Sequence, residues 1–359
     1  MSTKDNKLYT YIYNYFNPKY PFQFFIGSRG DGKTYGALGG AIEEPRIEKF
    51  MYSRLTDKEY QIVLDKKGVE SGNPFKKYNA NNGTNYGITS INKALGGIYN
   101  RELDDAGKYT CVGAPIGYAT ALYNISDIRG LDFSDLTDWI LDEFVPEKHK
   151  HTMSDMADAL FNAYETLNRN RELEGLPPIY FWGISNSNNI YNDMFKGLGI
   201  VADVEKMKRK KQYDKYYPDR GLAIHLIKNS KIFEEEKAKT ALYKLARGTK
   251  FADMALNNNF AYDDFSLVGY ERLNDKQPLV CCVKNGVEIY LYKKKGGANI
   301  YCSYGVSNQV EKFNFDKEHE KRLFKSTYGS RIYTLFIQGL VTFESYEIKA
   351  ILLEFLLKR

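Results

Sequence analysis

The sequence contains few cysteines and no long hydrophobic run. Its four cysteines include no C-x-x-C pair, which argues against both a disulfide framework and a zinc site. No apolar stretch approaches the roughly 20 residues of a membrane span, and the polar start MSTKDNKLYT has no signal-peptide core. We therefore expect a protein of a reducing cytoplasm that has no membrane partner.

Neither sign of charge dominates the chain. The net charge is +6 and the pI about 8.8, a mildly basic balance that is compatible with an anionic partner but does not require one. Hydrophobic residues make up 43% of the chain and charged residues 27%, which is the composition of a folded protein rather than a disordered one. A length of 359 residues predicts about two domains.

Strand-like and helix-like segments alternate through the first half of the chain. Strands are predicted at FQFFIG, KFMYSRL, KYTCVGAPIG, LTDWILDEF and PIYFWGISN, and KTYGALGGAIEE predicts a helix directly after the first of them. A further helix is expected from Ser154 to Glu174, with Leu160, Ala163 and Leu167 on its buried face. This alternation predicts an α/β domain with a mainly parallel sheet.

A change of composition near residue 205 predicts a domain boundary. The run EKMKRKKQYDKYYPDR is basic, rich in tyrosine and poor in apolar residues, which is typical of an exposed linker; a solvated, charged helix end is the alternative. We predict a first domain over 1–204, a basic linker over 205–220 and a smaller α+β domain over 221–359. In that last domain, Asn285-Gly286 between two strand-like runs predicts a hairpin.

A glycine-rich loop follows the first predicted strand. It fits the pattern G-x-x-x-x-G-K-T, whose glycines let backbone N–H groups approach phosphate oxygens at the start of a helix. The lysine neutralises the β- and γ-phosphates of a nucleotide, and the threonine hydroxyl is a Mg²⁺ ligand. The sequence therefore predicts a site for ATP and Mg²⁺ at Gly27, Ser28, Arg29, Gly30, Asp31, Gly32, Lys33 and Thr34.

Two acidic residues follow the apolar run Trp139–Leu141. Asp142 stands where a P-loop site needs a carboxylate for the metal, and Glu143 is then placed to activate the attacking water. An acidic pair after a strand is common on any surface, so the prediction of a metal ligand and a catalytic base depends on the glycine-rich loop upstream. A glutamate beside the metal carboxylate favours hydrolysis over transfer to a small acceptor.

The next apolar strand ends in Ser185-Asn186. A polar residue at this position senses the γ-phosphate in ring ATPases and helicases, so both residues are candidate sensors. An asparagine-rich turn is the alternative explanation, because the following residues SNN are also typical of turns.

Phosphoryl transfer also gains from an arginine that neutralises the transition state. The predicted helix ends in LNRNRE, and two residues apart on a helix Arg169 and Arg171 point to nearly opposite faces. Arg171 continues the buried stripe, so Arg169 is the better candidate for a finger that reaches a neighbouring subunit. Arg29 inside the loop is the rival, acting within its own subunit, and for Arg54 we favour a surface salt bridge.

These motifs together resemble the DNA-packaging ATPases of small podophages with protein-primed genomes. The resemblance runs through FIGSRGDGKTYG, MYSR, LDEF, LNRNRE, ISNS and IKAILLEFLLKR. It implies an ASCE-type P-loop ATPase domain assembled as a homopentameric ring on the prohead portal. By this resemblance Lys33 and Thr34 bind phosphate and magnesium, Asp142 holds the metal, Glu143 is the catalytic base and Arg169 is the trans-acting finger.

The same resemblance implies that the C-terminal domain is a degenerate RNase H-like nuclease. A working nuclease of that fold needs acidic residues on its first strand to hold two metal ions. The stretch PLVCCVKNGVEIYLY offers only Glu288, so we expect no DNA cleavage. Some members of the family dock on a structural RNA, which makes RNA a further candidate partner.

The leading hypothesis is therefore ATP-driven translocation of double-stranded DNA into a viral prohead, in the host cytoplasm. A packaging motor has to accept any sequence, so its DNA contacts should be made to phosphates. The alternatives are a helicase-like or recombination ATPase and a scaffold that binds nucleotide only to assemble. Candidate DNA contacts are Lys206, Lys208, Arg209, Lys210 and Lys211.

Overall fold

The structure is a computed structural model that describes residues 3, 9–64, 72–105, 109–145, 155–186, 189–249, 252, 265–305, 307 and 309–357. The chain divides into two compact units. The first comprises Met1–Leu198 with Met207–Ala261, and the second Gly199–Lys206 with Tyr262–Arg359. Among the described residues, no helix combines the length and apolar character needed to cross a membrane.

The first unit is built on a sheet of nine strands. These are β1 (Phe22–Gly27), β2 (Lys49–Arg54), β3 (Gly87–Ser90), β4 (Gly96–Leu103), β5 (Tyr109–Ala121), β6 (Leu136–Asp142), β7 (Tyr180–Asn186), β8 (Asp214–Tyr217) and β9 (Leu222–Leu226). Its helices are α1 (Lys33–Glu43), α2 (Asp57–Val63), α3 (Lys76–Asn82), α4 (Met156–Asn168), α5 (Asp193–Leu198), α6 (Val201–Lys210, which begins in the second unit), α7 (Lys231–Ala238) and α8 (Ala241–Leu245).

The strand order of this sheet is β3-β4-β5-β2-β6-β7-β1-β9-β8. The six central strands from β5 to β9 pair in parallel, and antiparallel strands close both edges. Strands β1, β6 and β7 are buried along almost their whole length, which is why they appear in the sequence as continuous apolar runs. The predicted α/β domain with a mainly parallel sheet is confirmed.

Helix α4 is shorter than the sequence predicted. Its buried face contains Leu160, Ala163 and Leu167 as expected, but the helix ends at Asn168 and not at Glu174. Arg169 has φ 47° and ψ −131°, far from helical dihedral angles, so the helix cannot continue through it. Ser154, where the helix was expected to begin, lies outside the described residues.

The structure also differs from the predicted linker over 205–220. Residues up to Lys210 belong to α6, whose Val201, Val204 and Met207 are buried, and Asp214–Tyr217 form the edge strand β8. Strand β9 lies beside β1 in the large sheet, so the first unit continues beyond residue 220. The sequence prediction missed helix α6 because the basic run contains few apolar residues, and these are spaced along one face of a short helix.

The second unit contains a sheet of five strands in the order β13-β10-β11-β12-β14. The strands β10 to β12 form an antiparallel meander, and β13 pairs in parallel with β10. The predicted hairpin is confirmed, with left-handed Asn285 and Gly286 at its turn. The elements are β10 (Lys276–Lys284), β11 (Val287–Lys294), β12 (Ile300–Ser303), β13 (Lys312–Asn314), β14 (Val341–Phe343), α9 (Glu318–Phe324), α10 (Ser330–Ile337) and α11 (Tyr346–Leu357).

A buried ion pair anchors the amino end of β6. Both oxygens of Asp138 accept hydrogen bonds from Arg46, at 2.9 and 2.8 Å, and Trp182 Nε1 donates to Oδ1 at 2.6 Å. The Arg46 guanidinium also lies over the ring of Phe16, 4.0 Å from its centroid. Burial raises the pKa of the Asp138 carboxyl, and Arg46 opposes that shift. The carboxylate is therefore tolerated in the core because its charge is paired and hydrogen-bonded.

We predict that Arg46→Met destabilises the first unit by about 3 to 5 kcal/mol, because it leaves Asp138 buried without its cation. Both tryptophans of the chain, Trp139 and Trp182, are buried in this sheet, so their fluorescence during urea unfolding measures the change. Arg209→Met, an exposed control on α6, should alter the unfolding free energy by less than about 0.5 kcal/mol. Equal effects of the two substitutions would contradict the role of Arg46 in stabilising the buried Asp138 carboxylate.

Candidate nucleotide-binding site

The glycine-rich loop connects β1 to α1 and wraps around the side chain of Lys33. Gly30 and Gly32 have φ values of 84° and 80°, a conformation that favours glycine. A Cβ atom on Gly32 would also lie 2.3 Å from the ring of Tyr9. Lys33 Nζ donates to the Ser28 carbonyl at 2.9 Å, so its ammonium is held inside the loop. The loop thus presents backbone amides, a lysine and a helix N-terminus, which together suit a phosphate.

The carboxylate of Asp31 lies among these donors. Its Oδ1 accepts from the Lys33 backbone N–H at 3.2 Å and from Nζ at 2.8 Å, and the residue is only 3% exposed. No hydrogen-bond partner for its buried Oδ2 is found within the described part of the chain. A phosphate in the loop needs the same Lys33 donors, so Asp31 and a nucleotide compete for them.

The carboxylate of Asp142, at the end of β6, faces the start of α1. Strand β7 lies between β1 and β6, and all three end at the same edge of the sheet, where ligands of parallel α/β sheets bind. Asp142 accepts from Thr34 Oγ1 at 3.1 Å and from Tyr52 OH at 3.1 Å, and Arg54 Nη1 donates to it at 3.2 Å. Burial raises the pKa of the Asp142 carboxyl, and the nearby Arg54 charge opposes that shift.

The residues at this edge fit a magnesium ion shared with phosphates. The Thr34 hydroxyl and the Asp142 carboxylate are the hard oxygen donors that Mg²⁺ prefers, and they lie within hydrogen-bond distance of each other. Because burial disfavours the anionic form of Asp142, a divalent cation would stabilise it there. Thr34 and Asp142 are thus the residues that would hold the ion.

Glu143 lies beside Asp142 in a strained backbone conformation. Its φ is 57°, which is uncommon for a residue with a side chain and is often found at functional sites. The Glu143 N–H donates to the Ile184 carbonyl at 2.8 Å, and its side chain is 44% exposed. The turn therefore directs this carboxylate toward solvent at the edge where the loop lies.

Arg54 joins the two acidic residues, and here our expectation of a surface salt bridge was wrong. Its Nη2 lies 2.5 Å from Glu143 Oε2, while Nη1 binds Asp142, and its side chain is only 17% exposed. Arg54 reaches both carboxylates because it ends β2 and β2 pairs in parallel with β6, and no local pattern in the sequence shows that pairing. Tyr52, two residues earlier on the same strand, was missed for the same reason.

The two candidate sensors at the end of β7 have different surroundings. The hydroxyl of Ser185 accepts from the Val145 N–H at 3.0 Å and is buried, so it holds the turn after Glu143. Asn186 Oδ1 lies 3.5 Å from Lys33 Nζ. Of the two side chains, Asn186 is therefore the one placed beside the phosphate-binding lysine.

A cavity of about 390 Å³ opens between these elements. It is lined by the loop from Arg29 to Thr34, by the ends of β6 and β7, and by three side chains that the sequence analysis did not single out, Tyr9, Tyr35 and Lys77. Arg29 is exposed at its rim. The loop, the acidic pair and Asn186 thus share one opening.

Arg169 lies away from this opening. It follows α4, and its guanidinium donates to the carbonyl of Leu131, ahead of β6. Arg171 binds the nearby Ser134 carbonyl at 2.6 Å. Because α4 ends at Asn168, neither arginine is on the helix, and the argument from helix faces does not apply. With seven residues rising about 3.3 Å each, β6 separates Arg169 from Glu143 by roughly 20 Å.

The predicted DNA contacts lie on and just beyond α6. Lys206 and Lys210 are one helical turn apart and Arg209 is adjacent, and all three are exposed, so they form one basic face. Lys208 is half-buried, and Lys211 follows the helix with φ 54°.

Comparisons with known proteins agree on one family. The sequence profile of the podovirus DNA encapsidation protein (Gp16) matches residues 97–359. The DNA packaging protein of Bacillus phage B103 is 27% identical over 257 residues, covering 70% of this chain and 68% of that protein. The DNA packaging protein of Bacillus phage phi29 is 24% identical over 343 residues, covering 92% of each.

Solved structures show the same fold. A chain of the bacteriophage Phi-29 genome packaging motor assembly superimposes with a TM-score of 0.61 at 19% identity, covering 97% of this chain and 98% of the other. The Phi-28 gp11 DNA packaging motor gives a TM-score of 0.54 at 18% identity, with coverages of 96% and 98%. The resemblance inferred from the motifs is confirmed, and the chain belongs to the podovirus DNA encapsidation protein (Gp16) family.

Proposed function

We propose that this protein hydrolyses ATP to drive double-stranded DNA into a viral prohead. The observation that carries the proposal is the convergence of Lys33, Thr34, Asp142 and Glu143 at one edge of the parallel sheet. A phosphate-binding loop, a metal carboxylate and an adjacent exposed glutamate are the parts that nucleotide hydrolysis requires. Membership of a DNA encapsidation family supports the use of that hydrolysis for packaging.

Each residue has a distinct part in the proposed reaction. Lys33 and the loop amides bind the phosphates, and Asp31 leaves Lys33 when they arrive. Thr34 and Asp142 would hold a magnesium ion, which would supply charge neutralisation for the β- and γ-phosphates. Glu143 takes a proton from the attacking water, and Arg54 holds its carboxylate in place through the contact at 2.5 Å. Asn186 senses the terminal phosphate from its position beside Lys33.

The position of Arg169 supports a ring in which subunits complete each other's sites. A side chain roughly 20 Å along the sheet from Glu143 cannot contact a phosphate in its own loop. At the surface it can meet the loop of a neighbouring subunit, as an arginine finger does. We therefore assign Arg169 to the neighbour's site and keep Arg29 as the alternative within the subunit. The homopentameric ring on the prohead portal is proposed from the family resemblance alone.

The other partners are proposed on the same basis. The exposed face of Lys206, Arg209 and Lys210 would contact DNA phosphates without sequence preference. Strand β10 carries no acidic residue, and Glu288 on β11 is paired with Lys312 at 2.6 Å, which supports the absence of nuclease activity. We place the protein in the host cytoplasm, transiently on the prohead, with a structural RNA as a further candidate partner.

We predict that Glu143→Gln lowers the rate of ATP hydrolysis by a factor of about 100 or more, the usual effect of losing a general base. ATP binding should persist, because the loop is intact. Phosphate release in the presence of proheads and duplex DNA measures the rate, with exposed Glu165→Gln on α4 as the control. Full turnover by the Glu143 variant would favour a different catalytic base or the hypothesis of a nucleotide-binding scaffold. Unwinding of a forked duplex by the wild-type protein would instead favour the hypothesis of a helicase-like ATPase.

A second prediction concerns Arg169. Rings of Arg169→Ala subunits and rings of Glu143→Gln subunits should both be inactive, yet mixed rings should recover part of the hydrolysis. Recovery is expected because some interfaces then pair an intact Glu143 with an intact Arg169. Mixtures with Arg171→Ala in place of Arg169→Ala provide the matched control. If turnover is lost in Arg29 variants and kept in Arg169 variants, the finger is Arg29.

A third prediction concerns DNA. Replacing Lys206, Arg209 and Lys210 by alanine should weaken duplex binding equally for unrelated sequences. The slope of log affinity against log salt should fall by about 0.9 for each phosphate contact removed. Replacing half-buried Lys321 and exposed Arg322 on α9, both of which are paired with Glu318, should change neither quantity. An unchanged slope in the α6 variant would exclude this face as a DNA contact.

A further inference from the structure

The segment after β9 returns to the phosphate-binding loop. Beyond β9 the Ile227 N–H donates to the Ile26 carbonyl at 2.8 Å, which keeps the chain beside the end of β1. Asn229 Oδ1 then accepts from the Ser28 hydroxyl at 2.6 Å. The next residue, Ser230, caps α7 by accepting from the Phe233 N–H at 3.1 Å. Helix α7 therefore starts from a direct hydrogen bond between its leading segment and the loop.

Lys237, in the last turn of α7, contacts the loop a second time. Its Nζ donates to the carbonyl of Arg29, and a Cβ atom built on Gly30 would lie 3.5 Å from Nζ. The rings of Phe233 and Tyr243 flank the ammonium, with centroids at 4.6 and 5.1 Å, and such cation–π contacts fix its position. A second lysine is thus held at the Arg29–Gly30 side of the loop, opposite the start of α1.

The charges around Lys237 favour an anion. Burial lowers the pKa of the Lys237 ammonium to about 8; Asp31 opposes that shift, while Lys33 and Arg29 add to it. Arg29, Lys33 and Lys237 thus bring three cationic side chains to this loop, and among them Lys33 binds the carboxylate of Asp31. A phosphate bound in the loop would place negative charge near the desolvated Lys237 ammonium. The attraction between a phosphate and an ammonium is strongest where water is excluded.

We propose that Lys237 is a second phosphate-binding lysine, which contacts the outermost phosphate of a nucleoside triphosphate and so distinguishes it from a diphosphate. The amides at the start of α1 receive the inner phosphates, which leaves the outermost one for the Arg29–Gly30 side. Loss of that phosphate on hydrolysis would remove the contact between Lys237 and the nucleotide. The inference rests on the proposed function, since it requires a nucleotide in this loop.

The test compares the affinities of a slowly hydrolysed ATP analogue, ATPγS, and of ADP by calorimetry with Mg²⁺. In Lys237→Ala the affinity for ATPγS should fall about tenfold, the scale of one charge-assisted hydrogen bond, and that for ADP by less than about twofold. Lys237→Arg should restore most of the preference. Lys239→Ala, whose side chain is 66% exposed and paired with Glu236, is the matched control and should behave as wild type.

A second variant separates phosphate binding from a structural effect on the loop. Asn229→Ala removes the other attachment of this segment without removing charge, so it should alter the affinities for ATPγS and ADP by the same factor. An unchanged ratio of the two affinities in Lys237→Ala would overturn the inference. If that ratio is unchanged while Lys33→Ala abolishes binding, the nucleotide site stands and Lys237 has no part in it. If the wild-type protein binds neither nucleotide, the proposed function itself fails.

Discussion

The buried carboxylate of Asp142 is the point on which the site depends. It lies at the end of a strand whose neighbours bring three donors to it, namely the hydroxyls of Thr34 and Tyr52 and the guanidinium of Arg54. A desolvated carboxylate is stable only when it is compensated, so the fold has to bring the loop of β1 and the end of β2 to the same place. The strand order does this, because β6 pairs directly with β2 and is separated from β1 only by β7.

Strand β6 carries a second buried carboxylate, and the contrast between the two explains their roles. Asp138 and Asp142 are four residues apart and so face the same side of the strand, and burial raises the pKa of each. Arg46 binds both oxygens of Asp138, and Trp182 adds a third hydrogen bond. Asp142 has one arginine, which it shares with Glu143. The two carboxylates therefore differ in which donors compensate them: Asp138 has an arginine to itself, whereas one donor to Asp142 is Thr34, the other candidate magnesium ligand.

The parts of the site that lie within one stretch of sequence were predictable. The loop, the acidic pair after β6 and the polar end of β7 follow from local patterns, because each depends on residues close together in the chain. Arg54, Tyr52 and Lys237 were not predictable in that way, since their contacts arise from strand pairing and from the return of α7 to the loop. The linker prediction was wrong for a related reason: a basic run concealed the apolar face of α6, and the short strand β9 pairs with β1, far away in the sequence.

The length of the central strands also constrains how the motor can work. The nucleotide-binding edge and the turn that holds Arg169 lie at opposite ends of β6, roughly 20 Å apart. With Arg169 as the finger that we propose, a subunit that binds ATP at one end would present its arginine at the other, where it could serve a second subunit but not itself. Hydrolysis would then require an assembled interface, and nucleotide binding alone would not. In such an arrangement a free subunit can hold ATP without consuming it, so hydrolysis is confined to subunits that are already in the ring.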